Sequence, residues 1–179
     1  MRVIGGEFRS RLLKSLPGLD VRPTPDRLRE ALFNVLTPRI EGAVFADVYA
    51  GTGAVGIEAL SRGAARAIFV EQNRDAIGVI QANLKSLGLE GRSQLLQARA
   101  KAVLPALRAD IVFVDPPYRL EGDYRAALET LSVKPPGLAV LQHDVRLALP
   151  ESAGVLHRTR ELRQGDNVLS FYSESLPAG

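Results

Sequence analysis

The stretch DVYAGTGAVGIEAL, residues 47 to 60, carries Gly-x-Gly-x-x-Gly at Gly51, Gly53 and Gly56, and Glu71 follows the first glycine by 20 residues. An apolar run precedes it (VFADV, 44–48) and a helical pattern follows, roughly 54–62 and ending at Gly63. That strand–loop–helix order opens nucleotide-binding α/β sheets. A dinucleotide would set its pyrophosphate on the amides at the start of the helix. Asp47, however, stands at the mouth of the loop, and a carboxylate beside two phosphates is repulsive in a partly desolvated site. A cationic ligand reverses the sign. S-adenosylmethionine carries sulfonium and ammonium groups that a carboxylate stabilises. It also has ribose hydroxyls, and Glu71, straight after the apolar IFV, is placed to accept both. The rim therefore favours the methionine cofactor over a dinucleotide, although a purely structural turn would carry the same glycines.

Outward from this loop the pattern alternates. Apolar strands are expected at 66–70, 94–97, 110–114 and 138–142. Between them lie helices at 74–87, closed by Gly88, and at about 123–132, with a short one near 101–107 that Pro105 interrupts. Ile77, Ile80, Leu84 and Leu87 share one face of the first. Such alternation predicts a mostly parallel sheet covered on both faces. The last forty residues change character and fold back around Gln164-Gly165-Asp166 as an antiparallel hairpin. Upstream, RPTPDRLREALFNVL reads as an amphipathic helix with Thr24 as N-cap, Pro25 at the first helical position and Pro38 closing it. Leu28, Ala31, Leu32, Val35 and Leu36 form its apolar stripe, with Arg27, Glu30 and Asn34 on the other face. RVIGGEFRSRLLKSL before it reads as a small β-hairpin or extended arm. Residues 1–22 are thus expected to form an arm and residues 23–179 one domain.

Composition agrees with one domain and a real core: 179 residues, 46% of them hydrophobic. The absence of cysteine excludes disulfides, thiolate metal sites and a cysteine nucleophile. Two histidines far apart in sequence, His143 and His157, suggest no metal cluster, and neither is given a role. No run reaches membrane-spanning length, so a cytoplasmic, monomeric protein with no metal is expected. The net charge of +3 is unevenly spread: residues 1–39 hold eight basic and four acidic groups, leaving 15 basic and 16 acidic in the rest. Arg2, Arg9, Arg11, Lys14 and Arg22 make the arm a candidate surface for a polyanion, against the alternative of a solvated face.

The stretch VFVDPPY, residues 112 to 118, places Asp115 at the end of another apolar strand, at the same rim as Asp47 and Glu71. Pro116 and Pro117 stiffen the turn, and Tyr118 presents a flat ring. These groups suit methylation of an exocyclic amine on a planar base. The amine's lone pair is delocalised into the ring, so it is a poor nucleophile. Hydrogen bonds from its N–H groups to the Asp115 carboxylate and the Pro116 carbonyl would turn that lone pair toward the methyl group. Tyr118 would stack on a base that must be unpaired or flipped to enter. No strong general base is needed, because the protonated product is very acidic. A Pro-Pro turn that merely closes a core strand is the plainer reading.

RVIGGEFRSRLL, RPTPDRLREALFNVL, DVYAGTGAVGIEALSRGA, VEQN, VDPPY and GDNVLSFY stand in the order found in the RsmD-type 16S rRNA (guanine(966)-N(2))-methyltransferase family, which the chain resembles over nearly its whole length. The resemblance implies a seven-stranded, Rossmann-like methyltransferase fold, S-adenosylmethionine as donor, and a guanine of small-subunit ribosomal RNA as acceptor. It implies that Asp47, Tyr49, Gly51, Thr52, Gly53, Glu71 and Gln72 bind the cofactor and that Asp115 to Tyr118 hold the base. Three positions depart from the family pattern. Arg99 stands where an acid usually lies near the adenine, leaving backbone groups of Ala98 and Arg99 or stacking to hold it. Gln142 replaces a glutamate, and Gln164 a tyrosine. The alternatives are a DNA adenine-N6 methyltransferase, a nicotinamide-dependent oxidoreductase on the same sheet, and an RNA-binding module without catalysis.

Overall fold

The computed structural model describes residues 1–18, 24–117 and 120–174. Five parallel strands form its centre: β1 (Val44–Val48), β2 (Arg66–Glu71), β3 (Ser93–Gln97), β4 (Ile111–Val114) and β5 (Leu138–Asp144). Three antiparallel strands extend the sheet: β6 (Ser152–Ala153), β7 (Leu156–Gln164) and β8 (Asn167–Ser173). The order is β3-β2-β1-β4-β5-β8-β7-β6. The chain therefore reverses direction beside β1, and the crevice beyond the ends of β1 and β4 is the topological switch point where such sheets bind ligands. Eight described strands stand where seven were expected, because the two-residue β6 pairs with the start of β7 at the sheet edge.

Five helices cover the faces: α1 (Asp26–Ile40), α2 (Ala54–Ser61), α3 (Arg74–Leu87), α4 (Ala100–Val103) and α5 (Glu121–Val133). Successive strand residues face opposite ways, and the two cores follow that parity. Phe45, Phe69, Phe113 and Val140 pack with α1, α2 and α3, while Ala46, Val70, Val112 and Leu141 pack with α4 and α5. As its proline implied, α4 is one short turn that passes into a 3-10 turn at Leu104–Ala106.

Helix α1 departs from expectation at both ends. Pro25, not Thr24, holds the N-cap position; the Thr24 hydroxyl instead donates to Gln142 Oε1 at 3.2 Å. The tertiary contact with β5 has displaced the local cap. Pro38 lies inside the helix, which runs on to a buried Ile40; a proline one turn from the end removes only one ladder bond, and burial of Ile40 favours the extra turn. At the other edge Gln164 is still in β7, so Gly165 and Asp166 alone make the turn to β8.

The arm is joined by one antiparallel bridge, Arg2 to Leu12, rather than a ladder. The domain grips it. The buried Glu58 of α2 accepts the amides of Ile4 and Gly5 at 2.9 and 2.8 Å, Ser61 Oγ accepts that of Phe8, and Asn83 of α3 both accepts from and donates to the main chain of Lys14. Gly6 adopts φ +79, and a Cβ there would lie 1.9 Å from the Ser61 carbonyl oxygen. Arg29, fully buried on α1, donates to the Arg2 carbonyl at 2.6 Å and faces Glu58 at 3.9 Å.

The glycine pattern has a packing consequence at Gly56, where a Cβ would sit 2.3 Å from the Phe69 ring. We expect Gly56→Ala to lose about 1–3 kcal/mol in equilibrium urea unfolding, the range for overpacking a tight core. Trimming the ring in Gly56→Ala/Phe69→Leu should recover part of the loss. Additive losses in the double variant would show that the two do not share this contact.

Candidate active site

Three strand ends repeat one phrase: Phe45-Ala46-Asp47, Phe69-Val70-Glu71 and Phe113-Val114-Asp115. The phenylalanines point into the core under α1, α2 and α3, and an acid two residues on shares that face. Asp115 lies just past β4, but its amide still donates to the Val48 carbonyl at 3.3 Å and continues the ladder. The register is staggered, so Asp47 is the deepest of the three, with Phe69 beside it on one strand and Phe113 on the other.

Asp47 is 1% exposed and its Oδ2 accepts the Gly56 amide at 2.9 Å. Burial pushes its carboxyl up to about 7, the charge of Glu71 adds to this, and the Gly56 hydrogen bond opposes it. Asp115, at the rim, is only partly exposed; burial and then the charge of Asp47 raise it to about 8. Glu71 accepts the Gly51 amide through Oε2 at 2.8 Å and the Asn73 amide through Oε1 at 2.9 Å. Each carboxylate oxygen keeps a second lone pair for a ligand donor.

These bonds make the loop a poor seat for an anion. An amide in the first turn of α2, where a pyrophosphate would bind, is held by the protein's own Asp47, and the amide of the first glycine by Glu71. A second anion would meet two carboxylates, whereas a cation would meet complementary charge. The left-handed glycines, Gly51 at φ +58 and Gly53 at φ +80, allow the close approach.

Tyr49, Glu71, Gln72, Ala98 and Arg99 are brought together around one pocket of about 320 Å³, shared with Val70, Ala100, Lys101, Leu120 and Asp123. Thr52 is not among its lining residues; its carbonyl accepts from Asn83 at 3.2 Å. The Ala98 amide donates to the Glu71 carbonyl at 3.1 Å, so that N–H is spent on the sheet and an adenine would have to use other backbone groups there. Past the end of β4, Pro116 is buried and Pro117 exposed. The Tyr124 hydroxyl donates to the Gln142 carbonyl at 2.8 Å and lies 3.4 Å from that of Pro116. Tyr118 and Arg22 lie outside the described residues. Arg2, Arg9, Arg11 and Lys14 are exposed on the arm, with Arg2 donating to the Ser10 carbonyl and Arg11 to that of Ser86.

Sequence reasoning missed Asp123, Lys101 and Tyr124. Asp123 and Lys101 are charged residues in the first turns of helices that leave rim strands, a position that could have marked them. His143 is a structural bridge. Its Nδ1 lies 3.0 Å from the Asp144 carbonyl, which can only accept, so Nε2 accepts from Ser170 at 2.8 Å; burial lowers its pKa in keeping with the neutral ring. Among the described residues no helix is long and apolar enough to cross a membrane.

A Rossmann-like sheet of this order, with acids at three adjacent strand ends around a glycine loop, defines a methyltransferase fold. The model of the family described as conserved hypothetical protein 95 matches residues 1–173. The chain belongs to this family, that of the RsmD-type methyltransferases. It is 36% identical to YlbH of Bacillus subtilis, provisionally described as an rRNA methyltransferase, over 97% of this chain and 99% of that one. It is 42% identical to ribosomal RNA small subunit methyltransferase D of Escherichia coli, in a match spanning 66% of this chain and 61% of that enzyme. The solved structure of YhhF from Escherichia coli, provisionally described as a methyltransferase, superposes with a TM-score of 0.84 at 35% identity, covering 96% of each chain.

The acids make stability pH-dependent in a definite direction. Unfolded, Asp115 ionises near 3.8; folded, it ionises near 8. The fold thus favours the protonated acid, and the stability it contributes is complete below 3.8 and lost as pH rises through about 8. Asp115→Asn, which mimics the protonated form, should melt at the wild-type temperature near pH 4 and increasingly above it toward pH 8. Parallel melting curves across that range would show that Asp115 is not held protonated by its surroundings.

Proposed function

We propose that this protein methylates the exocyclic N2 of a guanine in 16S ribosomal RNA, of the position-966 type, using S-adenosylmethionine and no metal. The observation that carries the cofactor reading is the engagement of Gly56 and Gly51 by Asp47 and Glu71, which makes the loop a site for a cation bearing hydroxyls. The names of the relatives support ribosomal RNA, and in one case that of the small subunit, as the substrate; that it is met within a subunit or an assembly intermediate is part of the proposal.

Asp47, Tyr49, Gly51, Thr52, Gly53, Glu71, Gln72, Ala98 and Arg99 would hold the cofactor, with Glu71 accepting ribose hydroxyls. When bound, the cofactor supplies an electrophilic methyl group on a cationic sulfur. The positive charge favours ionised Asp115, which, unlike the acid, can accept the amine's N–H without competing to donate. The Pro116 carbonyl accepts the other N–H, and Tyr124 steadies the turn through Gln142. Tyr118 would stack on the base. Transfer of that methyl would leave the amine nitrogen with a proton to shed, which Asp115 or water would take. Residues 1–22 would serve as an RNA-binding arm through Arg2, Arg9, Arg11, Lys14 and Arg22, ahead of a catalytic domain at 23–179.

Incubation with small subunits from cells lacking this modification should yield one N2-methylguanine per 16S rRNA by nucleoside mass spectrometry. Product at adenine N6, or none, would overturn the substrate assignment. Asp115→Ala should abolish transfer while cofactor affinity stays within a few-fold of normal, measured by calorimetry; turnover above a tenth of wild type would remove Asp115 from the chemistry.

Glu71→Ala should weaken cofactor binding by about 1.5–3 kcal/mol, the range for hydrogen bonds to a charged group. For the arm, Arg9→Ala with Lys14→Ala should flatten the salt dependence of RNA binding by about one to two units, given a slope of about −0.7 per phosphate neutralised on single strands. An unchanged slope would make the arm a solvated face.

A further inference from the structure

Tyr49 is one of two described non-glycine residues with positive φ, at +64. A bulky residue in this region marks a backbone that its surroundings hold in place. A short chain of polar contacts holds Tyr49. Its hydroxyl donates to Asp123 Oδ2 at 2.7 Å, and Asp123 Oδ1 pairs with Lys101 Nζ at 3.3 Å. The three residues come from the glycine-loop rim, from α5 and from α4, and all three line the rim pocket. The Asp123 side chain is 16% exposed and Lys101 69%, so the Tyr49–Asp123 bond is the sheltered half of the chain and the lysine its solvent end.

The position of Asp123 gives this bond its reach. Its amide donates to the Leu120 carbonyl at 2.9 Å, and the Leu120 amide donates to the Pro117 carbonyl at 2.8 Å. Two consecutive turn bonds thus connect Asp123 to the Asp115–Pro117 turn. The next residue, Tyr124, fastens the same helix end to Gln142 beside Pro116. The first turn of α5 is therefore tied on one side to the cofactor pocket and on the other to the substrate turn.

We propose that Tyr49 and Asp123 are positioning residues whose hydrogen bond transmits occupancy of the cofactor pocket to the Asp115–Pro117 turn, with Lys101 holding the Asp123 carboxylate in place. A ligand in the pocket lies against Tyr49 and Asp123, fixes the loop backbone, and through this bond fixes the start of α5. The inference rests on the methyltransferase reading for its kinetic arm and for the liganded exchange measurement, and stands apart from it in the exchange of the unliganded protein.

Tyr49→Phe keeps the ring and removes the donor. It should lower kcat about tenfold, the rate equivalent of one hydrogen bond of about 1.4 kcal/mol; because the ring, the part of Tyr49 offered to the cofactor, is kept, KM for S-adenosylmethionine and the calorimetric Kd for S-adenosylhomocysteine should stay within about threefold. Asp123→Ala should match it, and Tyr49→Phe/Asp123→Ala should be no worse than either single change. Asp123→Asn, which still accepts from the hydroxyl, should recover most of the rate lost in Asp123→Ala. The second readout is amide hydrogen exchange. In the wild type, S-adenosylhomocysteine should slow exchange both at 49–53 and at 120–124; in Tyr49→Phe it should slow only the first segment. Additive losses in the double variant, a wild-type kcat in Tyr49→Phe, or persistent protection of 120–124 in that variant would each overturn the latch. If the wild type shows no protection at all, the cofactor reading fails, and the latch is then judged on the unliganded protein, where Tyr49→Phe must speed exchange at 120–124 or the proposal falls.

Discussion

A carboxylate set between two phenylalanine rings needs a donor, and at Asp47 the donor is the Gly56 amide. That bond requires α2 to approach β2 so closely that position 56 has no room for a side chain over Phe69. The same approach turns the first turn of α2 toward the protein rather than toward a ligand anion. The placement of Glu71 on the Gly51 amide extends the arrangement by one strand. Loop conformation and helix packing are thus set together, and the charge of Glu71 adds to the rise of Asp47 as that of Asp47 does to the rise of Asp115.

The fold was largely legible because its signals are local. Strands β1 and β4 are nearly uninterrupted apolar runs, as strands buried on both faces must be, and Asn73 with Gly88 punctuates α3 at both ends. Misreadings arose where a distant contact outweighed a local one. Thr24 has the right side chain for a cap but finds Gln142, 118 positions away. Glu58 drew no reading from the sequence, yet it lies on a helix of which every residue is buried and meets the main chain of the arm more than fifty positions away.

The rim acids could be found from strand ends alone, because parity and burial follow from the sequence. Their partners could not. Nothing local tells that Glu71 would reach back to Gly51, or that Asp123 would meet Tyr49, a separation of 74 residues. The phrase Phe-x-acid at three strand ends was visible in the sequence, but its meaning depends on the register that sets Asp47 two residues deeper than its neighbours.

The domain holds the N-terminal arm largely by main-chain groups: the amides of Ile4, Gly5, Phe8 and Lys14, and the carbonyls of Arg2, Gly5 and Lys14. Val3 and Leu13 are buried, Met1 and Phe8 pack against the core, and Arg11 and Glu7 reach Ser86 and Arg92, while the Arg9 and Lys14 side chains stay exposed. The mount and the surface it displays are therefore separable. The outward residues could be rewritten, in charge or in shape, with the same brackets still closing on the same backbone, so that what the arm meets can change while where it sits does not.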